Sequence, residues 1–558
     1  MRFLGKDILL TILITGGVEY TTALGQTILP GFPVLEEVHR RNQLLDDSLS
    51  PQSFNLRPIF TEIETQSRGE KSAFRVGMTP MLSTTQYNSK RPFGWGDYSM
   101  IPSVGFQQYF TAGIFGSFKM IHYQIQPEFV FAENSRYVGF DSNSSPDVIR
   151  NRFRYWNFGD SPEVYGNGPY SKFWWGNTSL TVRFGSLELG GAVRNIWWGP
   201  GQFNSLTFSN NAPSFPHLSI NTFKPARTFA GDIEFQLIVG KLMDSGIAPF
   251  QDQFINDTYF ESFNGDWRYL NGLLFSYHPK WVKGLYMGFS RTFQRYSNNE
   301  FNTFRDYFPV FEGLQKIKFL NGGNFVEYDS DKYDQQFTVH FRYLVPSFDF
   351  EFYSEFGRRD HSLNLRELVL NPEHARAFLL GFIKLVPVHS KRFSALQIRG
   401  EITHQQESVN RYIRYPGLGG GTSWHTHYQA RGFSNQGQAL GVGIGTGSNS
   451  QNLEVSLVNK FNKVGLLLQR IENHQDFFYR SFGNNGSQSP WIDLGLGFLL
   501  DLEWNEFVFS SKFTFVNAQN YQWLPNSAST PEFPRNTQMI SSHIQINAIY
   551  RPNFKYLK

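Results

Sequence analysis

Between Gln335 and Phe356 the chain reads QQFTVHFRYLVPSFDFEFYSEF, and its apolar and polar positions alternate. Phe337, Val339, Phe341 and Tyr343 interleave with Thr338, His340 and Arg342. After Val345-Pro346-Ser347, Phe348, Phe350, Phe352 and Phe356 interleave with Asp349, Glu351, Tyr353 and Glu355. Side chains on a strand point to opposite faces with period two, so this stretch predicts a hairpin with one aromatic face and one charged face. Hydrocarbon outside and a wet lumen inside suit such a strand pair, as in an outer-membrane β-barrel. A soluble β-sandwich could carry one hairpin of this kind, so recurrence decides.

The pattern recurs. Strands are predicted over Phe74–Tyr87, Val104–Ala112, Phe118–Ala132, Thr178–Phe184, Leu187–Ile196, Leu218–Phe223, Ile233–Leu242, Tyr269–Tyr277 and Leu285–Phe293. Beyond the central hairpin they continue over Ala375–Val386, Leu396–His404, Leu453–Lys460, Val464–Glu472, Leu494–Leu502, Phe507–Val516 and Ile540–Tyr550. Phe115-Gly116-Ser117 is read as the turn between the second and third. The fold class predicted is an all-β transmembrane, antiparallel outer-membrane β-barrel of about 18 strands. Short turns fall on the side of the N-terminus and long loops on the other, the asymmetry of periplasmic turns and extracellular loops. The long loops include Glu133–Asn177, Trp197–His217, Asp244–Trp267, Arg295–Asp334, Gln405–Gly437 and Asn473–Trp491.

Ahead of the first strand, Pro33–Leu45 predicts a helix, with Pro33 in the first turn and Leu35, Val38 and Leu45 near one face. Arg2 and Lys6 precede the apolar run Ile8–Ile14, and Ala23-Leu24-Gly25 offers a small-x-small cleavage site. The expected organisation is a signal peptide over 1–25, a periplasmic helical segment over 26–70 that lies under the barrel mouth, and a barrel over 71–558. No later stretch reaches the ~18 apolar residues of a membrane-crossing helix. Composition agrees: 17% of the 558 residues are aromatic, with 57 Phe, and only 18% are charged, against about 25% in soluble domains. The absence of Cys excludes disulfide scaffolds, thiolate metal sites and Cys nucleophiles. The net charge of +4 is not clustered and indicates no nucleic-acid partner.

The loops are rich in Tyr, Trp, Phe, Asn, Gly and Arg, groups that stack on sugar faces, hydrogen-bond hydroxyls and pair with carboxylate or phosphate. Interfacial girdles and loop packing use the same aromatic residues. His404, His425, His427 and Glu407 lie close in sequence, with His425 and His427 facing one way were they on a strand. A metal site needs a defined third and fourth ligand, so solvent-facing loop histidines are the simpler account and no metal or cofactor is expected. Gly441-Val442-Gly443-Ile444-Gly445-Thr446-Gly447 lacks the register of a nucleotide loop and predicts backbone that folds inward or passes close to other strands. Glu351, Glu355, Arg399 and Glu401 are read as interdigitated lumen charges, and nothing points to an enzyme.

Four segments carry a family resemblance: Trp197-Trp198-Gly199-Pro200-Gly201 followed by Ser209-Asn210-Asn211-Ala212-Pro213; Phe352–Gly357; Pro372–Ala377; and Gly437–Gly441 with Gly445–Asn449. Together they resemble the Wzi family of capsule-assembly outer-membrane proteins, over roughly Gly94 to Asp476. The resemblance implies an 18-stranded barrel with N-terminal helices at its periplasmic end and a lectin-like role, holding capsular or exopolysaccharide at the cell surface. The candidate polysaccharide contacts are Trp197, Trp198, Asn210, Asn211, Arg411, Arg414, Tyr415 and Trp424. Gly199, Pro200, Glu373, His374 and Arg376 belong to the motifs and serve either binding or architecture. The expected partners are surface polysaccharide and outer-membrane lipid, and the barrel is expected to be monomeric. The rival reading is a general diffusion porin, with a barrel-borne hydrolase third. The Gln405–Gly437 loop and Gly445–Asn449 are long enough to block a lumen, which favours binding over diffusion.

Overall fold

The computed structural model describes residues 24–45, 52–63, 74–262, 266–298, 301–313, 333–360, 369–370, 372–408, 423–483, 488–530, 532–533, 535 and 537–552. One antiparallel sheet, curled into a barrel, accounts for most of them. With each bent strand counted once, every strand of this sheet pairs with the next along the chain, and the last, Gln538–Tyr550, pairs with Phe507–Gln519 on one side and with Met81–Asn88 on the other. No helix among the described residues is long and apolar enough to cross a membrane.

The central hairpin shows why the sheet curls this way. Asp334–Val345 pairs with Phe350–Arg359 across the short turn Pro346–Phe348. Val339, Tyr343, Phe352 and Phe356 are exposed, whereas His340, Arg342, Glu351 and Glu355 are buried. A soluble domain buries the first set and exposes the second. The inversion repeats on Leu466 and Leu468 against Gln469, and on Phe515 against Thr514. Apolar rings outside and polar groups inside are what a hydrocarbon solvent selects.

Four neighbouring strands bend at one level. Phe74–Met78 gives way to Met81–Asn88 at Pro80, Gly105–Thr111 to Ile114–Phe118 at Gly113, Ile121–Ile125 to Glu128–Ala132 at Pro127, and Tyr170–Trp174 to Thr178–Phe184 at Gly176. Proline supplies no ladder donor and glycine allows close approach; a Cβ on Gly113 would meet the backbone of Ile125 and Gln126. This arrangement corrects two expectations. Phe115-Gly116-Ser117 lies inside a strand, and the reversal falls at Lys119-Met120, with Lys119 at φ 54°. Tyr170–Trp174 is a strand where a loop is expected.

The N-terminal helix is Leu35–Leu45, close to its predicted span, but it sits inside the short-turn mouth rather than beneath it. Arg40 pairs with Glu351 of the wall, its guanidinium 4.9 Å from the Tyr353 ring and 5.3 Å from Phe54. Glu37 meets Lys463 at 2.7 Å and Arg399 at 3.2 Å. Burial pushes the Glu37 carboxyl up, but Arg399, Lys463 and Arg41 outweigh it and hold it well below the usual carboxylate range. Leu44 packs with Tyr286, Leu344, Ile383 and Leu385. Leu24–Ile28 pairs with Ile59–Ile63 beside this helix, and Leu56–Arg57 pairs with Trp197–Trp198.

Candidate functional site

The segment Trp197–Pro213 turns inward after Leu187–Arg194 and crosses the lumen. Irregular backbone leaves N–H and C=O groups without ladder partners, and each buried orphan costs about 1–3 kcal/mol. The wall supplies what the ladder does not. Glu401 accepts from the backbone N–H of Gln202 (2.7 Å), Phe203 (3.1 Å) and Asn204 (2.8 Å), and from the Tyr353 hydroxyl at 3.0 Å. Glu355 accepts from Gly201 at 3.0 Å and Leu206 at 2.8 Å. Arg57 donates to the carbonyls of Gly199 (2.6 Å) and Gly201 (2.8 Å), with Glu36 as its ion-pair partner. Burial pulls the Arg57 guanidinium down from its ordinary value, against the pull of Glu36.

The same division of labour holds the other inward loops. Arg268 donates to the carbonyls of Gly432 and Ser434, and Arg359 to those of Trp424 (3.0 Å) and Arg431 (3.0 Å) while pairing with Asp334 at 2.6 Å. Ser209 donates its N–H to the carbonyl of Leu440 and its hydroxyl to that of Gly441, so the glycine-rich stretch folds inward as its composition predicts. A Cβ on Gly441 would meet the backbone of Leu206 and Thr207. Carboxylates of the wall catch N–H groups and arginines catch carbonyls. Sequence reasoning named Glu355 and Glu401 only as lumen charges, and it missed Arg57, Arg268 and Arg359. Their signal was that each is an arginine at the end of a strand.

Of the predicted contacts, Trp197, Trp198, Asn210, Asn211 and Trp424 are all buried. Trp198 donates to Gln236 at 2.8 Å and stands edge-on to Phe208 at 4.8 Å. Trp197 lies under the Arg57 guanidinium, 4.1 Å from it. Asn210 accepts the Tyr98 N–H at 2.7 Å through its backbone carbonyl and sets its side chain against Gly31, and the Asn211 side chain accepts the Gly96 N–H at 3.1 Å and donates to the Ala439 carbonyl at 2.9 Å. Trp424 packs against Gly357, where a Cβ would meet its ring. These side chains are engaged by their own chain, not turned outward. Arg411, Arg414 and Tyr415 lie outside the described residues. Gly199 sits at φ 116° against Glu355, and Pro200 is buried beside it. At the loop end of the wall, Glu373 accepts from the Ser408 hydroxyl, His374 is 3.6 Å from Asp360, and Arg376 reaches His404 at 3.4 Å.

The histidines do not converge. His404 stacks on Phe378 at 4.9 Å, and His425 and His427 lie buried in a non-strand segment rather than on a common strand face. Among the described residues no group of His, Asp and Glu could hold a metal ion. Burial, with Arg359 nearby, pulls His425 down to about 3.

Above the plug the loops form an aromatic cap. Two helices that sequence analysis assigned to loops, Pro146–Gly159 and Gln475–Phe482, bring Phe153, Trp156, Phe477 and Phe478 against Phe250, Trp491, Tyr521 and Trp523. Against the loop-side ends of Arg268–Pro279 and Leu285–Tyr296, the ridge Phe304–Phe311 stays open. Phe304 is 70% exposed, Phe311 58% and Tyr307 46%, and Arg305 pairs with Glu312 among them.

The model of the capsule assembly protein Wzi family matches residues 165–477, more than half of the chain, including the Trp197–Pro213 plug. The chain belongs to the Wzi capsule-assembly family. Among solved structures it is similar to Wzi of Escherichia coli, described as an outer-membrane protein involved in group 1 capsule assembly and a carbohydrate-binding β-barrel. That likeness has 12% identity and a TM-score of 0.51, and covers 84% of this chain and 83% of that one. OprD of Pseudomonas aeruginosa (8% identity, TM-score 0.39, 88% and 97% covered) and OccAB2 of Acinetobacter baumannii (10%, 0.38, 85% and 97%) are more distant. No curated protein sequence matches the chain. Trp197–Gly201 and Ser209–Pro213, two of the segments that carry the sequence resemblance, are the two ends of the plug and lie within the matched residues.

Proposed function

We propose that this Wzi-family protein is a non-enzymatic outer-membrane barrel that attaches or organises capsular or exopolysaccharide at the cell surface. Counting each bent strand once, the barrel has about eighteen strands. Its short turns face the periplasm and its loops face outward. Polymer is held by several weak contacts along a repeating chain, which gives avidity without one deep pocket. The observation that carries this reading is the plug. Residues Trp197–Pro213 reach Glu355 and Glu401 on one sector of the wall, Gln236 on another, and Gly96 and Tyr98 near the first strand. A lumen spanned in this way does not serve free diffusion, which disfavours the porin reading. The open Phe304–Tyr307–Phe311 ridge with Arg305, together with Arg411, Arg414 and Tyr415, is where polymer contact is sought first.

The test compares cells lacking the protein with cells carrying Phe304→Ala, Tyr307→Ala or Arg414→Ala. Polysaccharide still made but shed to the medium supports attachment. Unchanged surface polymer with reduced small-solute uptake establishes the channel instead.

A further inference from the structure

The outer wall is not evenly convex. Two shallow, open grooves lie on its lipid-facing surface on different strands, and each has one cation at its loop-side edge, paired with Glu472 in the first. The first has a volume of about 590 Å³ and lies across Asn449–Asn459, Asn462–Glu472, Ile492–Trp504, Phe507–Gln519 and Gln538–Tyr550. Register places Gln451, Arg470, Leu494 and Asn517 in one lateral row. The row beneath it, towards the short turns, is Leu453, Leu468, Leu496 and Phe515, all exposed. A polar rim therefore sits directly on an aliphatic trough. Glu472 holds Arg470 at 2.7 Å, which fixes the guanidinium at the rim and occupies only part of its five-donor fork.

The second groove, of about 720 Å³, is built the same way. Ile125, Leu180, Leu218 and Val239 line it, and Gly191, paired between Leu180 and Leu218, leaves its floor open. Lys241 stands exposed at its loop-side edge, its ammonium 5.2 Å from the Trp267 ring.

We propose that each groove holds one phosphate-bearing membrane lipid of the loop-side leaflet, an acyl chain in the trough and the phosphate on Arg470 or Lys241. An apolar trough ending in one cation matches an amphiphile with one anionic end, and both cations lie at the same end of the barrel. Arginine suits phosphate bidentately and lysine suits it as a point charge. The inference requires only that the barrel sits in a bilayer and is independent of polysaccharide binding.

The experiment adds phosphatidic acid, or diacylglycerol with the same chains, to the full-length protein in detergent and counts retained lipids by native mass spectrometry. Heat-dependent gel mobility reports that each variant is folded. The expected result is two phosphatidic acids on the wild type and no diacylglycerol. Arg470→Gln and Lys241→Gln each lose one, with affinity down about tenfold at that site, and Arg470→Lys retains it. Leu468→Trp, which fills the first trough and leaves Arg470 in place, also loses one. Equal retention by wild type and the glutamine variants, equal binding of diacylglycerol, full retention by Leu468→Trp, or a second copy of the chain in place of lipid would each overturn the proposal.

Discussion

At the scale of single residues, the plug turns on a few side chains that do what a strand ladder does elsewhere. Glu401 accepts four hydrogen bonds, three from consecutive backbone N–H groups. Glu401→Ala leaves those donors buried and unpaired. At about 1–3 kcal/mol each, with partial relaxation, the expected loss is about 3 kcal/mol. A lower thermal midpoint and a rise in planar-bilayer conductance would show it; an unchanged midpoint would mean that the plug is held by packing alone. Trp198 separates packing from binding. Trp198→Ala removes a fully buried indole and should cost about 3–5 kcal/mol. Trp198→Phe, which keeps an aromatic body in the pocket, should leave polymer retention intact. Loss of retention in a stably folded Trp198→Phe would restore this residue as a sugar contact. The sequence presents Trp197 and Trp198 as loop aromatics because residue type states chemistry, not direction. Whether a loop turns outward or into the lumen is decided by partners more than a hundred residues away, such as Glu355 and Glu401.

At the scale of elements, legibility followed periodicity. Strands with long alternation, such as Asp334–Val345 and Phe507–Gln519, were readable because each inside position must be polar and each outside position apolar. Ile114–Phe118 was not, because Gly116-Ser117 has the composition of a turn although both residues are paired in the ladder, Gly116 with Val76 and Tyr123. The helix Pro146–Gly159 had a start signal, Ser145-Pro146-Asp147, that went unused inside a segment already assigned to loop. The N-terminal helix was readable as a helix but not as a stopper, since its docking rests on Arg40 finding Glu351 311 positions away. Arg40→Leu tests that docking. Breaking a buried ion pair costs about 3–5 kcal/mol, and because Arg342 still pairs with Glu351 at 3.0 Å the lower end is expected. The barrel should keep its strand content by circular dichroism while protease cleaves residues 24–45 sooner than in the wild type. Equal cleavage rates would mean that the helix is held by Leu44 and its neighbours and not by charge.

At the scale of the whole molecule, the stability of the plug and its aromatic cap depends on pH through groups outside the strands. His425 is buried, His474 is half-buried, and both are neutral: burial and Arg359 pull His425 down to about 3, and burial and Arg152 pull His474 well below its usual value. His474 accepts the Arg152 N–H through Nε2 at 3.4 Å, a contact that requires an unprotonated ring nitrogen. An unfolded histidine takes up its proton near pH 6.5, whereas the folded His425 does not until about pH 3. The unfolded state therefore binds more protons between these values. Its contribution to stability is complete above pH 6.5 and is lost progressively as pH falls towards 3, reaching up to about 2 kcal/mol at pH 5. Asp160 acts in the opposite sense. Burial and Asp244 raise it to about 6, so acidification from pH 6 towards 4 removes the cost of keeping it ionised. The two effects are separated by comparing variants instead of reading one curve. His425→Asn should flatten the fall in unfolding free energy between pH 6.5 and 4, and Asp160→Asn should steepen it. Denaturant unfolding in detergent, followed by the emission of the 12 tryptophans, gives the unfolding free energy at each pH. Identical pH slopes in the wild type and His425→Asn would show that His425 carries its proton in the folded protein, and that the cap admits enough water to solvate it.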